Sequence, residues 1–168
     1  LEYFNELKIS YVYQTATTNL LKSTIVIFLA EVLGICINES EKNENLFSFL
    51  ETALIWFDTH TETQNFHLIL LLDLTKFLGF YPDISTTNEP FFNKLKGKFC
   101  TLEDSHTLNF KESELLKKLI PLKFNSNQKK FTVTERHIVL NTLLDFYNTH
   151  IEGFKKPKSL DVLKDIFE

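Results

Sequence analysis

The chain has 168 residues, 43% apolar and 24% charged, with four Gly, four Pro and two Cys. That suffices for one domain, which at this size buries ~70% of its unfolded surface, and it excludes a disordered, collagen-like or disulfide-stapled protein. The net charge of −4 is uneven: residues 1–90 carry four Lys against twelve Asp and Glu, a balance of −8, while residues 91–168 carry thirteen Lys and one Arg against ten acids, a balance of +4, so a basic face is expected on the C-terminal half.

Leu1, Tyr3, Leu7 and Ile9 alternate with polar or opposite-facing neighbours, a strand signal with no partner nearby. The absence of Met and the initial Leu suggest a segment of a longer protein. Thr18 to Ile37 predicts a long helix, with Leu20, Leu21, Ile25, Phe28, Leu29, Val32 and Cys36 on a broad apolar face. Leu46 to Phe57 predicts a second, after a polar loop over residues 38–45. The sharpest signal is Thr61 to Pro82. Thr61 and Gln64 fit a capping box, Leu68 to Leu72 are consecutive, Gly79 suits a left-handed helix end and Pro82 blocks any restart. Such a helix belongs at the centre of a bundle, because its apolar residues exceed a single stripe.

Residues 80–110 are rich in turn formers. Phe91, Phe92 and Phe99 frame a short β-hairpin over 91–100 turning near Lys96–Gly97. Asn109 and Glu112 can cap a helix that Pro121 ends, and Thr132 and Glu135 a longer one that Gly153 closes. A basic linker, Lys155-Lys156-Pro157-Lys158, leads to a last helix from Ser159 to Phe167. The expected fold is all-α, a bundle of five or six helices whose core includes Phe28, Leu29, Val32, Leu50, Leu54, Ile69, Leu70, Leu74, Phe77, Leu143, Leu144 and Phe146.

No nucleophile elbow, phosphate loop, dinucleotide fingerprint or HExxH motif occurs. Cys36 and Cys100 stand alone, without a CxxC pair. His60 and His67 read as surface or helix-end histidines, and Asp73 as a partly exposed acid paired with Lys76. The sequence therefore offers no catalytic residues, no metal ligands and no cofactor site. Two Lys clusters remain. On a hairpin, alternation would set Lys94, Lys96 and Lys98 on one face. Lys155, Lys156 and Lys158 form the second cluster. Both suit phosphate binding, which needs several cations on one surface; by composition alone both are also ordinary solvated turns.

The string LTKFLGFYPD (residues 74–83), FFN (91–93) and GKF (97–99) resemble the helical C-terminal domain of the bacterial RecO family. GFKKPKSLDVLKDIF (153–167), STIVIFLAEVL (23–33) and LFSFLETALIWFDTH (46–60) extend the resemblance over nearly the whole chain. It implies that residues 1–12 are the end of an N-terminal OB-fold domain and residues 17–168 the helical domain. It also implies a non-catalytic DNA repair and recombination mediator in the cytoplasm. Such a mediator binds single- and double-stranded DNA, partners RecR and the C-terminal tail of single-stranded DNA-binding protein, promotes annealing and helps to load RecA. Many members of the family hold zinc in two CxxC pairs after the LGxxP motif. This chain has no such pairs after Pro82, so a degenerate, metal-free finger region over about residues 80–110 is expected. The competing expectation is a helical adaptor that binds proteins and makes no nucleic-acid contact.

Overall fold

The computed structural model describes residues 8–37, 42–126 and 130–166. The described residues form six helices and one small sheet: α1 (Leu20–Cys36), α2 (Glu44–Thr59), α3 (Phe66–Phe77), β1 (Phe91–Asn93), β2 (Lys98–Cys100), α4 (Phe110–Leu119), α5 (Val133–His150) and α6 (Leu160–Ile166). The expected mainly helical fold is what forms. The strand read over Leu1 to Ile9 lies, through residue 7, outside the described residues.

Local chemistry sets most helix ends. The Asn19 and Asn43 side chains accept the amides of Lys22 (3.1 Å) and Leu46 (3.0 Å), filling donors that a helix start leaves open. Two of the expected capping boxes form: Asn109 with Glu112, and Thr132 with Glu135. At the end of α3, Gly79 takes φ +83°, and the Phe80 amide donates back to the Thr75 carbonyl at 3.0 Å. This six-to-one bond closes the helix and requires the left-handed residue.

The third predicted box does not form. α3 begins at Phe66, not in the Thr61–Gln64 box, and its N-cap Asn65 makes no side-chain capping bond. The chain must reverse between Thr59 and Phe66 to stack Phe66 on Phe57, with ring centroids 4.2 Å apart. Thr63 is consumed by that turn: it is buried and its carbonyl accepts the Phe66 amide at 3.0 Å.

Every residue from Phe66 to Leu72 is buried, as are Leu74 and Thr75, so α3 is the bundle's axis. It packs on α2 and α5, α5 packs on α4, and α6 lies against α1. Of the expected core, Leu50, Leu54 and Phe77 sit half-buried at its margin and the rest are fully inside. Much of the Phe content is consumed there: Phe28, Phe57, Phe66, Phe92, Phe99 and Phe146 are all essentially inaccessible. No helix among the described residues is long and apolar enough to cross a membrane.

The two histidines part company. His60 is exposed at the end of α2, stacked on Trp56 at 4.2 Å. His67 is buried, contrary to expectation, because it falls on the first turn of a helix that is enclosed on all sides. Asp73 behaves as expected and pairs with Lys76 at 2.5 Å.

Candidate nucleic-acid interface

The hairpin forms as predicted, with Phe91 opposite Cys100, Phe92 opposite Phe99 and Asn93 opposite Lys98. Its strands are only three residues long, however, and Lys94 to Gly97 make up the turn. Strand alternation therefore has nothing to act on at Lys94 and Lys96, and that reason for a shared lysine face fails. Lys96 and Lys98 are exposed, whereas Lys94 is half-buried. The Lys94 backbone is pinned on both sides: its amide donates to the His106 carbonyl (2.9 Å) and its carbonyl meets His150 Nε2 (2.8 Å). A carbonyl only accepts, so His150 carries its proton on Nε2 there. The His150 ring also lies flat on Phe80, centroids 5.0 Å apart.

The second cluster hangs between buried anchors. Phe154, Pro157 and Leu160 point inward, leaving Lys155, Lys156 and Lys158 exposed. Lys156 pairs with Asp145 on α5 at 3.0 Å. Glu31 on α1 accepts the backbone amides of Lys158 (2.7 Å) and Ser159 (3.0 Å) and the Ser159 hydroxyl (2.7 Å). The Ser159 hydroxyl, then the two amides, hold the Glu31 carboxyl below its ordinary range. Glu31 thus docks the start of α6 on α1 and fixes the linker backbone that carries these lysines.

The two clusters are far apart in sequence, yet both touch the last turns of α5. His150 meets the Lys94 carbonyl, Asp145 meets Lys156, and a Cβ placed at Gly97 would stand 4.0 Å from the Phe146 ring. The turn and the linker that carry the lysines are therefore both anchored on the last turns of α5. What exposed ammonium groups of this kind can do is hold anions by charge.

Sequence reading missed a polar knot at the C-terminal end of α2. Asp58 is 2% exposed. Its carboxylate accepts the amides of Gln14 (2.9 Å), Thr15 (2.8 Å) and Ala16 (2.7 Å) and the Tyr11 hydroxyl (3.0 Å). Lys22 sends its ammonium to the Phe57 (2.7 Å) and Asp58 (2.9 Å) carbonyls and to the Thr15 hydroxyl (2.6 Å). These are among the carbonyls a helix end leaves open, so Lys22 caps α2 while Asp58 holds the approach to α1. No local signal announces this, because the partners that bind α2 lie 35 or more positions away from it. An open cleft of about 340 Å³ beside it is lined by Thr15, Thr18, Asn19, Lys22 and Thr61.

Zinc does not suit the finger region. A closed zinc site takes four thiolate or imidazole ligands, and residues 80–110 supply one thiol, Cys100, and one imidazole, His106. The Cys100 thiol donates to the Leu102 carbonyl at 3.3 Å. Among the described residues, no three His, Cys, Asp or Glu side chains are grouped to hold a metal ion. Cys36 is equally unsuited, since burial pushes its thiol up to about 12.

Residues 17–161 match the family model described as "Recombination protein O C terminal". The chain is 55% identical to the DNA repair protein RecO of Flavobacterium johnsoniae over 167 residues, covering 99% of this chain and 70% of that protein. It is 52% identical to the DNA repair protein RecO of Flavobacterium psychrophilum over 168 residues, with 99% and 71% covered. With that of Christiangramia forsetii it shares 41% over 169 residues, again 99% and 71%. No solved structure matches the chain.

Proposed function

The chain belongs to the recombination protein O C-terminal family, and on that premise we propose that it is the non-catalytic helical domain of a DNA repair and recombination mediator acting in the cytoplasm. In this reading residues 17–168 form the helical domain. The domain receives RecR and the C-terminal tail of single-stranded DNA-binding protein, assists annealing and RecA loading, and adds a secondary contact to single- and double-stranded DNA. One observation supports the DNA contact above others: the Lys94 carbonyl and the Lys156 ammonium both meet the last turns of α5, so the turn carrying Lys94, Lys96 and Lys98 and the linker carrying Lys155, Lys156 and Lys158 are anchored on one helix.

Bonds from Lys to phosphate act by charge and carry no sequence information, so binding is sequence-independent. It also weakens with salt. Engaging four to six phosphates of single-stranded DNA gives a log–log slope of about −3 to −4, at roughly −0.7 per phosphate. Changing Lys155, Lys156 and Lys158 together to Ala should flatten the slope by roughly 0.7 for each phosphate no longer engaged. Anisotropy titration of a labelled oligonucleotide at several salt concentrations measures both quantities. An unchanged affinity and slope in the triple variant would leave the linker a solvated turn and remove it from the interface.

The adaptor reading keeps one observation of its own: Lys156 is already paired with Asp145 in a chain of net charge −4. It expects no salt-dependent binding by the unaltered chain, so the same titration separates the two.

A further inference from the structure

We propose that the finger region, Pro82 to Leu108, is held shut by a metal-free clasp centred on the Asn93 carboxamide. Asn93 is 1% exposed although it is polar and lies beside a surface turn. Its Nδ2 donates to both carboxylate oxygens of Asp104, at 3.1 and 2.8 Å, and its Oδ1 accepts the Lys96 amide at 2.9 Å. One side chain therefore joins strand β1, the turn that follows it and the loop after β2. A tetrahedral metal site makes this kind of junction between distant segments; here an amide makes it, and no ligand has to be deprotonated.

The rest of the region is arranged around that junction. Asp104 Oδ1 also accepts the His106 amide at 2.8 Å. The loop then runs back along β1: Lys94 donates to the His106 carbonyl at 2.9 Å, Leu108 donates to the Phe92 carbonyl at 2.8 Å, and Asn93 and Thr107 form a bridge between these bonds. On the opposite side the leading segment is tied to β2. Asp83 donates its amide to the Gly97 carbonyl (2.7 Å), Phe99 donates to the Thr86 hydroxyl (3.0 Å), and the Thr101 hydroxyl donates to Glu89 (2.8 Å). Beneath lie Phe92 and Phe99, buried with ring centroids 5.0 Å apart, and Phe92 reaches Phe146 on α5 at 5.3 Å. Each of these segments is thus joined by a directed hydrogen bond over an aromatic floor, and the Asp83, Glu89 and Asp104 carboxylates are already engaged.

The clasp predicts a charge logic that a metal site lacks. Asn93→Asp sets a carboxylate against that of Asp104, and like charges in close proximity repel. Adding Asp104→Asn exchanges donor and acceptor and restores the pair. Thermal unfolding and amide hydrogen exchange of the chain, with and without EDTA or zinc chloride, test this. Neither additive should move Tm by more than about 1 °C. Asn93→Asp should lower Tm by about 5 °C or more, taking roughly 2–4 °C per kcal/mol at this chain size, and should speed exchange at the Lys94 and Lys96 amides by an order of magnitude or more. The exchanged pair, Asn93→Asp with Asp104→Asn, should recover at least half of both effects. A fall in Tm with EDTA, a Tm unchanged in Asn93→Asp, or a double variant no better than the single one would each overturn the proposal.

Discussion

Replacing Asp58 by Ala should destabilise the chain by about 3–5 kcal/mol, in line with the removal of one partner from a buried charged network. The carboxylate is the common acceptor for the Gln14, Thr15 and Ala16 amides, and each buried donor left without a partner costs ~1–3 kcal/mol. Loss of the carboxylate also leaves the Lys22 ammonium, half of the same knot, with oxygen dipoles only. Burial already lowers the Lys22 pKa, and the Asp58 charge is what opposes that. A urea denaturation series measures the effect; a loss under about 1 kcal/mol, the worth of an ordinary neutral hydrogen bond, would mean that the knot does not hold the α1–α2 junction.

The same group gives the protein an acid response whose sign can be worked out. Burial would raise the Asp58 carboxyl pKa, but the Gln14, Ala16 and Thr15 amides and the Tyr11 hydroxyl outweigh it and hold it well below the ordinary range. Its contribution is therefore complete above the unfolded value, ~3.9, and is lost as pH falls below that toward the lower folded value. His67 acts earlier. Burial, with the nearby Arg136 and His137 charges, holds it down to about 3. From ~6.5, the ordinary imidazole value, down to that point, the unfolded chain takes up a proton that the folded one refuses, and stability declines. Denaturation midpoints should fall gently from neutral pH and then more steeply below about pH 4, as the Asp58 carboxylate begins to titrate in the unfolded chain. Asp58→Asn should be weaker at pH 7 but lose the steep lower portion.

What was legible in the sequence was local. The pairs Asn109–Glu112 and Thr132–Glu135 and the glycine at 79 act over three to six residues, and each bounds a helix at the expected place; α5 instead ends at His150 on an extended Ile151, short of Gly153. The run Leu68 to Leu72 placed α3 at the centre because no amphipathic orientation can hide five consecutive apolar residues on one face. The Thr61–Gln64 box had the same local signature and failed, since stacking Phe66 on Phe57 fixes where the chain may turn. Asp58 carries no helical period and no motif; its meaning comes from amides 42 to 44 positions away. The candidate basic surface was half legible. Its lysines could be picked out by charge, but the anchoring of their turn and linker on α5 runs through His150 and Asp145, which sequence spacing does not connect to them.

Leu70→Ala should cost about 2–5 kcal/mol, the range for truncating a buried Leu, and should lower Tm by roughly 2–4 °C for each of those kcal/mol. Leu70 is 1% exposed, and its helical neighbours from Phe66 to Leu72 are all buried. Over those two turns α3 thus has no solvent side toward which it can slide to fill the void. It is also fastened: the Tyr147 hydroxyl donates to the Leu71 carbonyl at 2.7 Å, tying α3 to α5 one residue away from the deletion. A site that cannot collapse keeps its cavity and lies toward the costly end of the range. Phe47→Ala supplies the contrast, since Phe47 is on α2 and 65% exposed; it removes more atoms and should change stability by less than about 0.5 kcal/mol, as surface substitutions do. Should Leu70→Ala cost as little as Phe47→Ala, α3 could not be the axis of the bundle, because an axis helix loses packing on every side when it is trimmed.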